Sequence, residues 1–348
     1  MPELRKDPIT QEWVIIAIER GRRPSDFNNV STIEPDREAF NPTCPFCPGK
    51  EGLTPPEVLG FREPGSEHIA DWWVRVVPNK YPALAIEGNL SRHGNGMYDV
   101  MNGVGAHEVI IESPLHNADP AWISQWQMAE IFWAYRERYL DLRKDDRFKY
   151  ILVFRNHGKV AGASLEHPHS QLIATPMLPI DVINEMQGAK NYHGFHERCI
   201  WCDMVQQEIE QGARVVLETE NFLAFEPFAS KYPFETWLLP KNHQASFIMM
   251  SREDVLEFAG LMQNTLQKIA GCLNSPPYNF AIHTAPCDHE HSDIFHWHMV
   301  IMPRLTIAAG FEMGTGIYIN VTSPEDAALY LRETAVSITD YQPVKTLE

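Results

Sequence analysis

The chain has 348 residues, of which 44% are hydrophobic, enough to bury the core of one large domain or two of ordinary size. A formal net charge of -17 at pH 7 would repel a phosphate backbone, which argues against general nucleic-acid binding. No run approaches the roughly 20 apolar residues of a membrane span, and the first residues lack an export-signal pattern, so we expect a cytoplasmic protein that does not bind membranes. Four of the six cysteines form two Cys-x-x-Cys pairs, a spacing that in a reducing compartment indicates metal before disulfides.

The predicted elements follow the same order in both halves of the chain. The first half contains a cysteine pair, two strands, a histidine, a helix, a third strand and a His-x-His: Cys44–Cys47, Trp73–Val77, Glu108–Glu112, His116, a helix capped at Asp119, Tyr150–Arg155 and His167–His169. The second half contains Cys199–Cys202, Phe222–Phe225, Glu235–Leu239, His243, a helix capped at Ser251, Asn279–His283 and His296–His298. We interpret the chain as two copies of one unit.

Two sequential strands, a helix and a further strand in each copy predict an α+β fold with an antiparallel sheet and helices on one side. Segment 178–194 is the predicted joint, so we divide the chain into an N-terminal catalytic unit, 1–178, and a C-terminal unit, 179–348.

Zinc prefers four soft or borderline ligands in a tetrahedron, and a Cys-x-x-Cys turn supplies one edge of it. The repeated order predicts two centres, the first from Cys44, Cys47, His116 and His167 and the second from Cys199, Cys202, His243 and His296. We therefore expect two zinc ions per chain, although the second centre could take another divalent metal. A competing set for the second centre, Glu185, His283, His296 and His298, could hold iron or zinc but leaves the second cysteine pair unexplained.

The strand that begins after His167 carries the predicted chemistry. Alternation along a strand puts His167, His169 and Gln171 on one face, so a metal on His167 would fix the strand beside His169. A neutral imidazole held in place is a competent nucleophile toward phosphorus. Gln171 can donate an amide hydrogen bond to a phosphate oxygen, and Ser164 in a small-residue turn can add a hydroxyl.

Several segments together resemble galactose-1-phosphate uridylyltransferases, a branch of the histidine-triad superfamily. They are Arg20–Pro24, Cys44–Cys47, Val76–Leu84, Glu112–His116, Phe154–Asn156 and Ser164–Gln171. The resemblance implies two histidine-triad-like units that share an open half-barrel sheet flanked by helices, in a homodimer with active sites near the subunit interface.

The resemblance also implies roles for individual residues. His169 would carry the nucleotidyl group, Gln171 and Ser164 would contact the transferred phosphate, and the first tetrad would hold zinc. Substrate contacts are implied for Arg20, Arg23, Asn79, Asn156 and Glu312. The implied reaction is ping-pong: a nucleotide sugar loses hexose 1-phosphate, and a second hexose 1-phosphate then takes the nucleotidyl group.

Two features set the chain apart within this resemblance. The histidine-triad hydrolases have histidine where Gln171 stands, and glutamine cannot do its acid-base work, which favours transfer over hydrolysis. The run 308–320 and the second Cys-x-x-Cys resemble the branch that contains plant ADP-glucose phosphorylase.

From the family resemblance, our first hypothesis is a UDP-glucose:hexose-1-phosphate uridylyltransferase of galactose metabolism. The alternative is an ADP-glucose phosphorylase or adenylyltransferase that uses the same histidine, and the third is a catalytically dead, zinc-stabilised nucleotide-binding module.

Overall fold

A computed structural model of the chain describes residues 1–17, 19, 21, 23–27, 37–66 and 70–336. The strands in these residues are β1 Glu3–Lys6, β2 Trp13–Ile16, β3 Leu59–Arg62, β4 Trp72–Pro78, β5 His93–Asn95, β6 Tyr98–Val100, β7 Ala106–Ile111, β8 Tyr150–His157, β9 His169–Thr175, β10 Val215–Glu218, β11 Phe222–Phe225, β12 Thr236–Pro240, β13 Tyr278–His283, β14 His298–Pro303 and β15 Tyr318–Asn320. The α-helices are α1 Gln125–Leu142, α2 Ile180–His196, α3 Ile200–Gln211, α4 Arg252–Leu273, α5 Gly310–Thr315 and α6 Pro324–Glu333.

Ten of these strands form one antiparallel sheet in the order β3-β4-β7-β9-β8-β13-β14-β12-β11-β10. Outward from the β8–β13 junction, the two halves have the same strand order, and α1 and α4 occupy the same place in each half. The α+β prediction and the repeat are therefore confirmed. The division at residue 178 stays a prediction. Strands β1 and β2 from the start of the chain pair with each other, and β2 also pairs with β15 near its end.

The two long helices begin with side-chain caps. Ser251 caps α4 as predicted, and with Asp254 it forms a reciprocal capping box in which Ser251 Oγ accepts from the Asp254 N–H at 3.1 Å. The predicted cap of α1 at Asp119 is wrong, because α1 is capped by Ser124, whose hydroxyl accepts the Gln127 N–H. The carboxylate of Asp119 instead accepts from the Ala121 N–H and faces His157, so it closes a separate turn before the helix.

Helices cover both faces of the sheet, which differs from the expectation of helices on one side. Helices α1 and α4 pack together on one face, where Phe132 and Phe258 are in edge contact. Helices α2 and α3 cover the other face of the second half. Strand β11 explains the difference: Phe222 and Ala224 face α4, whereas Leu223 and Phe225 lie in the opposite cluster, so the strand is apolar on both faces.

Among the helices that the structure describes, none combines the length and apolar character needed to cross a membrane.

Candidate active site and metal centres

The four residues predicted for the first metal centre come together, with one ligand atom of each within 4.8 Å of the others. Cys47 Sγ lies 3.6 Å from Nδ1 of both His116 and His167. A tetrahedral zinc, with Zn–S of about 2.3 Å and Zn–N of about 2.0–2.1 Å, holds sulfur and nitrogen ligands about 3.5–3.6 Å apart. The Nε2–H of His167 donates to the Ser113 carbonyl at 2.8 Å, which leaves Nδ1 for a metal. The spacing and the donor set fit zinc.

The second predicted centre repeats this geometry. Cys202 Sγ lies 3.5 Å from Nδ1 of both His243 and His296, and Cys199 Sγ lies 4.0 Å from the latter. The Nε2–H groups of the two histidines donate to backbone carbonyls, at 2.9 Å to Ser292 and 3.0 Å to Pro240. These outer hydrogen bonds turn both Nδ1 atoms toward the cysteines, so the second tetrad could hold a metal as well.

The four residues of the competing ligand set do not form one group in the structure. His296 lies with the cysteine pair, whereas Glu185, His283 and His298 form a separate group. His283 Nδ1 contacts Glu185 Oε1 at 2.8 Å, and His298 Nε2 lies 3.9 Å from the same oxygen. The geometry therefore favours the cysteine set for the second centre.

His169 is the first residue of β9 and is almost completely buried. Its Nδ1–H donates to the His167 carbonyl at 2.8 Å, which leaves Nε2 as the unprotonated nitrogen of the neutral ring. Burial lowers the pKa of His169 to about 4, against the opposing effect of the hydrogen bond to His167, so the ring is neutral near pH 7. The edge of Phe46 packs against it. This neutral, immobilised imidazole has the properties of a nucleophile.

Two cavities meet at His169. The apolar cavity, about 550 Å³, is lined by Phe46, Leu53, Pro55, Val77, Asn79, Val109 and Gln171, among others. The cationic cavity, about 520 Å³, is lined by Arg37, Arg155, Asn156, Lys159 and Glu166, among others. Ser164, Leu165 and His169 line both. An apolar cleft suits a nucleoside and a cationic one suits a phosphate, so a nucleotide that spans both would place a phosphate beside His169.

Gln171 is held by a histidine that sequence reasoning missed. His107 Nε2 lies 2.8 Å from Gln171 Oε1, and Asn79 Nδ2 lies 3.1 Å from the same ring nitrogen. The pairing of Val109 with Gln171 in the β7–β9 ladder makes His107 a diagonal neighbour of Gln171 on the same face. The alternation of β7 was the available signal, because His107 shares its face with Val109.

The turn that carries Ser164 is fastened to the second half of the chain. Asn279 on β13 donates from Nδ2 to Asn156 Oδ1 at 2.7 Å and to the Ala161 carbonyl at 2.9 Å. Its Oδ1 accepts a hydrogen bond from Arg304. Gly162 in this turn has φ +93°, which favours glycine. Asn279 was not predicted, since its contacts depend on the pairing of β8 with β13.

The cations of the cationic cavity, Arg37, Arg155 and Lys159, were also missed. Arg155 is buried and paired with Glu112, and its Nε has no partner among the described residues. Arg37 donates to the Glu166 carbonyl at 3.0 Å, which brings its guanidinium to the cavity rim.

Of the remaining predicted substrate contacts that the structure describes, Arg23 and Glu312 do not line either cavity. Arg20 lies outside the described residues. Arg23 is exposed, and its N–H donates to Asp26 at the start of a short 3₁₀ turn. Glu312 accepts from the Ala309 N–H and caps α5, and it is absent from the lining of either cavity. Their substrate roles stay predictions.

The equivalent position in the second copy is closed. His298 begins β14 as His169 begins β9, and its Nδ1–H also donates two residues back, to the His296 carbonyl. However, His298 is fully buried and its ring stacks on Trp237 with centroids 4.7 Å apart. Val300 stands where the first copy has Gln171. In the second copy, therefore, the histidine is not accessible to a substrate and no glutamine amide lies beside it.

The chain is similar to known proteins along nearly its whole length. A family described as galactose-1-phosphate uridyl transferase, N-terminal domain, matches residues 1–179, and a domain of unknown function (DUF4921) matches residues 105–339. The chain is 38% identical over 340 residues to an ADP-glucose phosphorylase of Arabidopsis thaliana, covering 97% of this chain and 94% of that protein. It is 31% identical over 347 residues to a galactose-1-phosphate uridylyltransferase of Thermotoga maritima, covering 97% and 100%.

The fold is similar as well. A crystal structure of an ADP-glucose phosphorylase from Arabidopsis thaliana with bound ADP-glucose superposes with a TM-score of 0.82 at 36% identity, over 97% of this chain and all of the other. With the family match to half of the chain and relatives aligned over nearly all of it, the protein belongs to the galactose-1-phosphate uridylyltransferase family and is a nucleotidyltransferase.

Proposed function

We propose that the chain transfers a nucleotidyl group from a nucleoside diphosphate hexose through a covalent intermediate on His169. The observation that carries the proposal is the neutral His169 ring where the apolar and cationic cavities meet. Nε2 attacks the α-phosphorus, a P–N bond forms, and the bond to the bridging oxygen breaks, so hexose 1-phosphate leaves with the electron pair. An acceptor phosphate oxygen then attacks the same phosphorus, and the P–N bond breaks.

Neighbouring residues supply hydrogen bonds to this phosphate. Gln171 and Ser164 line the cavities beside His169 and can donate to the α-phosphate oxygens. Asn79 would contact the nucleoside side and Asn156 the departing phosphate. Arg37 and Lys159 provide positive charge for a second phosphate.

We also propose two zinc ions per chain, one in each Cys₂His₂ tetrad, with the second centre open to another divalent metal. Zinc would supply structural cross-links and no step of the transfer. In the first tetrad it would hold His167, two residues before His169, and so limit motion of the nucleophile. The homodimer implied by the family resemblance is a further proposal, tested by light scattering of the purified protein.

Two donors are candidates. The 38% identity to an ADP-glucose phosphorylase supports ADP-glucose as donor with orthophosphate as acceptor. The 31% identity to a galactose-1-phosphate uridylyltransferase, over that protein's full length, supports UDP-glucose with hexose 1-phosphate. We rank the adenylyl reaction first on identity. The cationic cavity accommodates either acceptor, because both present a phosphate.

Intact-protein mass after incubation with ADP-glucose or UDP-glucose tests the covalent step and the nucleobase preference together. We expect a gain of one nucleoside monophosphate with the true donor, and none in His169→Ala. His93→Ala, which changes an exposed hairpin histidine, is the matched control and should react like wild type. Adding orthophosphate, glucose 1-phosphate or galactose 1-phosphate to the isolated nucleotidyl-enzyme then identifies the acceptor.

Two results would contradict the proposal. If metal-loaded wild type gains no mass with either donor and His169→Ala turns over normally, the covalent mechanism is wrong. If a nucleotide sugar raises the melting temperature with neither attachment nor exchange of label between sugar phosphates, the chain is a nucleotide-binding module.

A further inference from the structure

The contacts of His107 determine which of its ring nitrogens carries the proton. The backbone N–H of Ala83 donates to His107 Nδ1 at 3.1 Å, so Nδ1 must be unprotonated. A neutral imidazole then has its proton on Nε2. Because Gln171 Oε1 lies 2.8 Å from Nε2, the side-chain oxygen of Gln171 accepts that proton's hydrogen bond.

Asn79 lies beside the same ring nitrogen. Its Nδ2 lies 3.1 Å from the protonated Nε2, so the amide cannot donate to that nitrogen. Its Oδ1 accepts the Tyr81 N–H at 2.9 Å, which fixes the amide orientation with the NH₂ group directed away from Tyr81. The Asn79 backbone N–H donates to the His107 carbonyl at 2.8 Å, so the two residues are joined through backbone as well as side chain.

We propose that His107 is a positioning residue that sets the amide orientation of Gln171 for nucleotidyl transfer. The inference rests on the proposed function. An unrestrained glutamine amide can present either its oxygen or its NH₂ group to a neighbour, because the two ends have nearly the same shape. With Oε1 bound to His107, the NH₂ group faces the apolar cavity beside His169 and donates to the phosphate.

Loss of His107 would allow the Gln171 amide to turn, and its oxygen would then face the negatively charged phosphate oxygens. Removal of one donor to a developing oxyanion costs about 10²–10³-fold in rate. Since Gln171 would still spend part of its time in the productive orientation, we expect a smaller loss, about 10–100-fold, in single-turnover formation of the nucleotidyl-enzyme for His107→Ala.

A double-mutant cycle tests whether His107 acts through Gln171. We expect His107→Ala and Gln171→Ala each to slow nucleotidyl-enzyme formation, and the double variant to be no slower than Gln171→Ala alone. His107→Gln, which can place an N–H donor near the position of the imidazole Nε2, should recover most of the lost rate. His93→Ala serves as the control for a histidine outside this network. Multiplicative losses in the double variant would overturn the proposal.

A spectroscopic measurement makes the result independent of turnover. In wild type labelled with ¹⁵N-histidine, the resonance that disappears in His107→Gln should show a protonated Nε2 and an unprotonated Nδ1. A protonated Nδ1 would overturn the proposal, whatever the activity. Failure of the wild type to gain nucleotide mass would instead contradict the proposed function and leave this tautomer result in place, so the two failures are distinguishable.

Discussion

Replacing Asn279 with alanine would remove the amide that links β13 of the second half to the turn beside His169. The variant loses the hydrogen bonds from Nδ2 to Asn156 and to the Ala161 carbonyl. It also removes the acceptor that Arg304 uses. Asn279 is buried, so water cannot easily replace these partners.

The magnitude follows from these contacts. A neutral hydrogen bond contributes about 0.5–1.5 kcal/mol net, and each buried polar group left without a partner costs about 1–3 kcal/mol. The two bonds lost from Nδ2 account for about 1–3 kcal/mol and the buried Ala161 carbonyl left unpaired for about 1–3 kcal/mol more, so we expect the free energy of unfolding to fall by about 2–6 kcal/mol, apart from the contact with Arg304. Release of Asn156 and the Ser164 turn should also slow formation of the nucleotidyl-enzyme, since the turn would no longer be held beside His169.

Urea unfolding and single-turnover mass analysis of the same protein preparations measure both effects. Asn95→Ala, in the exposed strand β5, is the matched control and should leave both values unchanged. A stability within about 0.5 kcal/mol of wild type, together with an unchanged rate, would refute the inference that Asn279 anchors this turn.

Three further predictions concern metal content, the pH dependence of stability, and the balance between nucleotidyl transfer and hydrolysis. Cys199→Ser should reduce bound zinc by one ion per chain in elemental analysis, and a wild type with a single zinc would contradict the second centre. Burial raises the pKa of Glu226 well above its ordinary value of 4.5. As pH rises, the Glu226 carboxyl therefore ionises first in the unfolded state, and the free energy of unfolding falls by about 1.4 kcal/mol per pH unit until the carboxyl also ionises in the folded state. Glu226→Gln should remove this contribution, so urea unfolding at pH 5 and pH 8 should show a smaller fall in the free energy of unfolding than in wild type. An equally large fall in the variant would refute the role of Glu226. Gln171→His should increase release of free nucleotide when no acceptor phosphate is present, because histidine, unlike glutamine, can accept a proton from the water that attacks the nucleotidyl-histidine. An unchanged rate of nucleotide release would contradict this expectation.

Much of the site could be predicted because it depends on local patterns. Alternation within one strand places His169 and Gln171 on the same face, whatever the rest of the fold does. The repeated order of cysteine pairs and histidines likewise identified two ligand sets that the structure brings together. The predicted cap at Asp119 failed because its carboxylate had a competing partner in His157, distant in sequence.

The sequence by itself determined the repeat, the composition of the first tetrad and the side of the strand on which His169 lies, because each is encoded by spacing within a short segment or by recurrence along the chain. Only the tertiary structure decided that His296 lies with Cys199 and Cys202, that the His298 ring is buried against Trp237, and that Asn279 contacts the turn that carries Ser164. These outcomes depend on which strands are neighbours and in what register, and above all on the β8–β13 junction between the halves.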